Sequence, residues 1–211
     1  MPSPDDANGL PSPSATLAAD GRDPSRVPAD WKQLLDASEW HLNDVGLPSR
    51  RAARVIALRQ VPRPGILLVI GHDFGDTTHS WGFTPGGGLL PGETAIAGAR
   101  RELAEETGIG LPASALVGPV VEREALFVFN RVTCRQDELF FVTHLGAGVG
   151  VDRSGWTDTE QAVLDSLRWW DLDELDAAVA SGMTVYPRIL PALARELMDG
   201  WDGRVRHVVE H

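Results

Sequence analysis

A 24-residue stretch, Gly86 to Ile109, constrains the chain more than any other part of it: GGGLLPGETAIAGARRELAEETGI. Three glycines run through a proline turn into a segment rich in helix formers. Thr94 stands where an N-cap belongs, and Gly108 where a helix ends. The spacing predicts a helix over Thr94 to Thr107 with Glu102, Glu105 and Glu106 on one face. Like charges four apart repel, so the pattern costs stability unless a cation sits there. Three carboxylates on one face suit a hard divalent ion, Mg²⁺ or Mn²⁺. Glu93 can reach the same cluster from the loop. Gly86, Gly87 and Gly88 let main chain approach it closely.

The remaining composition bounds the reading. The chain has 211 residues, a formal net charge of −11 and one cysteine, Cys134. That length suits one medium domain. A disulfide framework and a cysteine-rich zinc site are excluded, and His72 and His79 are too few to hold zinc. The negative surface does not attract a phosphate backbone, so duplex nucleic acid is not an expected partner. No apolar run approaches a membrane span, and no secretory signal opens the sequence, so a cytoplasmic location is expected.

Organisation follows from the local patterns. Residues 1–28 contain six prolines (Pro2, Pro4, Pro11, Pro13, Pro24 and Pro28) and are expected to form a disordered tail. Residues 29–47, with Trp31, Leu34, Leu35, Trp40 and Leu42, predict a short amphipathic helix. Residues 48–200 form the expected domain, and 201–211 a C-terminal tail. Strands are predicted over Ala52 to Leu58, Gly65 to Ile70, Trp81 to Thr84, Val117 to Val121, Ala125 to Phe129, Leu139 to His144 and Ser166 to Trp170. Gly71 to Ser80 and Gly146 to Thr159 read as loops. Asp171 opens a helix with an Asp-x-x-Glu cap, and Pro187 begins a last helix carrying Leu190, Leu193 and Leu197.

The stretch resembles the Nudix box, G-x5-E-x7-R-E-U-x-E-E-x-G-U, where U is aliphatic. Gly87, Glu93, Arg101, Glu102, Leu103, Glu105, Glu106, Gly108 and Ile109 occupy every defined position. Weaker resemblance extends from about Arg51 to Leu175. It implies an α/β fold, a Nudix-like α/β/α sandwich with a mixed central sheet, here with a flexible N-terminal tail. It also implies metal-dependent hydrolysis of a diphosphate linkage in a small nucleotide-like substrate. Members of the family often pair as homodimers, which no residue here demands.

Residue by residue, the resemblance implies Glu102, Glu105 and Glu106 as metal ligands, with the Gly86 carbonyl as a further one. Glu93 would support the cluster, and Arg101 would orient the glutamates by ion pairing. The general base would be Glu106 or a glutamate from a later loop. Glu160 is the first choice there, with Glu138 and Glu124 as alternatives. Candidate substrate contacts are Gly87 and Gly88, Arg123 for a phosphate tail, and Phe127, where some members carry a tyrosine. Trp81 and Phe83 flank the glycine loop. Core packing is their default use, and base stacking the functional alternative. A rival from another class is a silent nucleotide-binding sensor on the same scaffold.

Overall fold

Ala52 to Leu58 and Gly65 to Ile70 are apolar at nearly every position, as strands covered on both faces must be. The computed structural model of the chain, which describes residues 16–73, 76–154, 156 and 164–211, places both runs in the middle of a sheet. The elements, in order, are α1 (Trp31–Leu34), β1 (His41–Leu42), β2 (Pro48–Arg59), β3 (Gly65–Asp73), β4 (Asp76–Phe83), β5 (Gly86–Gly88) and α2 (Ala95–Thr107). They continue with β6 (Val117–Phe129), β7 (Val132–Leu145), β8 (Leu164–Asp171), α3 (Leu172–Ala180), β9 (Thr184–Tyr186), α4 (Leu190–Leu197) and β10 (Arg206–Glu210).

Among the described residues, one mixed sheet runs β10-β6-β7-β2-β3-β4-β9, with β1 and β5 paired to β2, and β8 to β3. β2 lies parallel to β7 and β6 parallel to β10, whereas β3 is antiparallel to β2, β4 and β8. Alternation along the strands makes two cores. Val55, Ala57, Leu67 and Val69 face α2 through Ala99 and Leu103. Ile56, Leu58, Ile66 and Leu68 face Leu172 and Leu175 of α3 and Leu190, Leu193 and Leu197 of α4. Helices therefore cover both faces, and the fold is the expected Nudix-like sandwich. Each fully buried aliphatic side chain contributes about 1.5–3 kcal/mol. No helix among the described residues is long and apolar enough to cross a membrane.

Several expectations are corrected. The helix over residues 29–47 shrinks to four residues, Trp31–Leu34. The Asp36 carboxylate accepts from the Ser38 main chain (2.8 Å) and hydroxyl (2.7 Å), a turn that competes with helix. The apolar residues still work as core. Trp31, Leu35, Trp40 and Leu47 form a third cluster with Val132 and Cys134. The disordered tail does not reach residue 28. Val27 is 1% exposed in that cluster, and the Asp23 amide donates to the Gly46 oxygen at 2.8 Å. Residues 1–15 lie outside the described residues.

Gly71 to Ser80 is largely strand and not loop, because β3 runs on to Asp73, β4 begins at Asp76, and the two pair antiparallel from Val69 opposite Phe83 to Asp73 opposite Asp76. The two strands expected over Val117 to Phe129 are one. Pro187 lies before the last helix, whose first turn contains Pro191 instead. Asp171 makes no side-chain cap and pairs with Arg59 at 2.9 Å. The expected C-terminal tail contains β10, parallel to β6 from Arg206 opposite Val121 to Glu210 opposite Ala125.

Candidate active site

β5 is short but fixed. It pairs antiparallel with β2, setting Gly86 opposite Arg54, Gly87 opposite Ala53 and Gly88 opposite Ala52. Gly86 has φ 144°, and a Cβ there would meet the Ala53 oxygen at 2.4 Å, so only glycine fits. At Gly87 a Cβ would meet the Glu102 carboxylate at 2.8 Å. The missing side chain is what lets α2 bring that carboxylate onto the strand.

α2 forms as its sequence demands. The Thr94 hydroxyl accepts from the Ala97 amide, and Gly108 ends the helix in the left-handed conformation. Ala99 and Leu103 bury the side facing the sheet. Arg101 then gathers the acidic groups. Its Nη1 donates to Glu102 at 2.7 Å and Glu105 at 3.0 Å. Its Nε and Nη2 donate to Glu93 at 3.0 and 2.9 Å, and Nη2 also to the Gly88 oxygen at 2.9 Å. Glu93 accepts the Leu90 amide as well. Glu106 turns the other way and accepts the Gly86 amide at 2.8 Å. The structure thus brings Gly86, Gly87, Gly88, Glu93, Arg101, Glu102, Glu105 and Glu106 into one group.

The electrostatics of this group are uneven. Bonds from Arg101 hold the Glu93 carboxyl below its ordinary range. Burial pushes Glu102 above it, and Glu105 beside it adds to the rise although Arg101 opposes it. The cluster is short of positive charge. The family fold implies Mg²⁺ or Mn²⁺, and the residues fit such an ion in chemistry. The donors are hard oxygens, negatively charged in excess, beside a main-chain carbonyl. Among the described residues no three carboxylate or imidazole groups stand at ligating spacing. Arg101 lies between Glu93, Glu102 and Glu105, and Glu105, 57% exposed, has room to move.

Other candidates are placed differently. Arg123 is not open to a phosphate tail: it is 10% exposed and bonded to Glu138 and, at 2.7 Å, to Glu210. Phe127 packs edge-on to Trp40 in the third cluster, 6.4 Å between ring centroids, and not beside α2. Phe83 is half-buried against the α2-side core, with the Arg54 guanidinium 5.4 Å from its ring. Trp81 is half-buried on β4, opposite Gly71 and Thr184. Glu124 pairs with Arg135 at 3.0 Å at the surface. Glu138 is fully buried. Burial raises its carboxyl, but Arg54 and Arg123 outweigh that and bring it down to about 2, which makes it a poor base. Glu160 lies outside the described residues.

Two residues near the site escaped the sequence reading. Arg54 donates from Nη1 to the oxygens of Thr84 and Gly86, both at 3.0 Å. Its signal was a lone charge inside an apolar strand. Trp156 donates to the Glu106 oxygen at 2.9 Å and had no distinguishing pattern.

The NUDIX domain family model matches residues 48–193, and the chain belongs to this family. The match takes in the strands from β2 to β9, α2 and α3, and the first half of α4. A NUDIX hydrolase from Alicyclobacillus acidocaldarius aligns with 71% of this chain and 90% of its own, at 16% identity and TM-score 0.53. A MutT protein from Methanosarcina mazei Go1 aligns with 71% and 95%, at 17% identity and TM-score 0.50. At such identities the likeness is one of fold. No curated protein sequence matches the chain.

Proposed function

We propose that this chain is a pyrophosphohydrolase acting on a nucleoside diphosphate linked to another moiety, with Mg²⁺ or Mn²⁺ as cofactor. The observation that carries this is the acidic face of α2, drawn against β5 with less positive charge than it needs. Glu102, Glu105, Glu106 and the Gly86 carbonyl would hold the cation. Once bound, the ion would neutralise the diphosphate and acidify the attacking water. The chain's own groups do the rest. Arg101 orients Glu93, Glu102 and Glu105, since a planar guanidinium serves several acceptors at fixed angles. The Gly86 amide holds Glu106 in place. Glu106 or Glu160 takes the proton of the attacking water. Gly87 and Gly88 admit the substrate's phosphates, and Phe83 and Trp81 line the approach on β4. The setting is cytoplasmic, with Cys134 buried and taking no part.

The test offers ADP-ribose, NADH, diadenosine polyphosphates, nucleotide sugars and deoxynucleoside triphosphates with Mg²⁺ or Mn²⁺, products being identified by mass. Cleavage at a diphosphate linkage that Glu106→Gln abolishes supports the reading. Cleavage that persists in Glu106→Gln refutes the metal assignment.

A further inference from the structure

Glu39 and Glu210, both outside the matched region, are each linked through intervening side chains to one buried carboxylate, Glu138. Oε1 of Glu138 accepts from Nε of Arg54 and from Nε2 of Gln136, and Oε2 accepts from Nη1 of Arg123. Arg123 also donates to Glu210 of β10 at 2.7 Å. Gln136 accepts from Nε of Arg50, whose Nη1 donates to Glu39. Register explains why these groups meet. Arg50 stands opposite Gln136, Ala52 opposite Glu138 and Arg123 opposite Glu138, so all project to the same face of β2, β7 and β6. On that face of β2 the small Ala52 stands between Arg50 and Arg54.

The inner end of this chain is the site. Arg54 ties Glu138 to the carbonyls of Thr84 and Gly86, and the Gly86 amide holds Glu106. Three acceptors on one guanidinium fix both its plane and theirs. A lysine ammonium has no such fork.

We propose that Arg54 and Glu138 are positioning residues that set the Gly86 carbonyl for the divalent cation, and that Glu39 and Glu210 hold them from the two ends of the chain. This rests on the metal reading above. The appended segments are thereby parts of the active site's frame. Neither Arg54 nor Glu138 touches substrate or reacting atoms.

The test is Mn²⁺ affinity of the metal-free full chain, measured by calorimetry. Arg54→Lys and Glu138→Gln should each weaken binding by about 10–100-fold, the range for groups that orient a ligand. Glu210→Ala and Glu39→Ala should weaken it less, in the same direction. Leu193→Ala, a core truncation on the α4 side, lowers stability without touching these bonds and should leave affinity unchanged. The proposal is overturned if folded Arg54→Lys and Glu138→Gln bind Mn²⁺ within about twofold of wild type, or if Leu193→Ala weakens binding as much as they do. If both inner variants fail to fold, Glu210→Ala decides, and unchanged affinity there overturns it. A wild-type chain that binds no Mn²⁺ removes the cation reading itself, and this proposal with it.

Discussion

The indole Nε1 of Trp156 donates to the main-chain oxygen of Glu106 at 2.9 Å, which ties a residue beyond β7 to the acidic end of α2. A helix leaves its last carbonyls without partners, and here those of Ala104, Glu106 and Thr107 find one. The Gly108 amide takes the Ala104 oxygen, the Asp152 amide takes the Thr107 oxygen, and the Thr107 hydroxyl takes the Leu103 oxygen. Trp156 is also buried against the α2-side core. Replacing it with Phe keeps much of the ring and loses the donor, so stability should fall by about 1–3 kcal/mol. Trp156→Ala should cost about 3–5 kcal/mol. Urea unfolding of both variants checks the order and the size.

Glu105→Gln and Glu106→Gln should leave the fold intact and lower turnover by more than the roughly 10–100-fold expected for an outer partner. Circular dichroism and Mg²⁺-dependent rate measurements separate the two effects. Near wild-type turnover in either variant contradicts the assigned role.

Arg101→Lys keeps a positive charge but loses the fork that serves Glu93, Glu102, Glu105 and the Gly88 oxygen. One ammonium cannot reproduce that geometry. Activity should fall by about 10-fold or more, with a larger rise in the Mg²⁺ concentration needed for half-maximal rate than in substrate KM. A change confined to KM contradicts the orienting role.

Glu138 carries a pH signature. The Arg54 and Arg123 guanidiniums bring its carboxyl to about 2 in the folded chain, below its ordinary value of 4.5. A depressed acid stabilises the fold above its unfolded pKa, and that contribution fades as pH falls through the folded value. Wild type should therefore lose its advantage over Glu138→Gln between about pH 4.5 and 2. At neutral pH the variant, which leaves Arg54 and Arg123 without their shared anion, should be about 3–5 kcal/mol less stable. Denaturant midpoints of both proteins across that pH range test the sign.

Removing residues 1–28 deletes Val27 and the Asp23 main-chain bond to Gly46. The expected loss is at least about 2 kcal/mol from Val27 alone. A thermal melt unchanged by the deletion contradicts the packing of this segment.

What the sequence made legible was local. α2 was readable because Thr94, the alanines, Leu103 and Gly108 all favour one helix, and the glutamates four and three apart named its working face. β2 and β3 were readable from apolar runs. What was missed depends on contacts distant in sequence. Arg206 to Glu210 is short, with only Val208 and Val209 apolar, and becomes a strand because β6, some eighty residues earlier, offers it an edge. The helical spacing of Trp31, Leu34 and Leu35 was real, but the turn at Asp36 ended it. Within the site, the box named the acidic cluster and Arg101. It could not name Arg54, whose partners at positions 84, 86 and 138 are brought together only by strand register.

The most direct test of the account is the substrate panel with Mg²⁺ and Mn²⁺, run on wild type and Glu106→Gln together. The account predicts metal-dependent cleavage of a diphosphate linkage, with one class well ahead of the others and no turnover in the variant. Silence across the panel while a nucleotide still binds would contradict it, and would describe a sensor built on this fold.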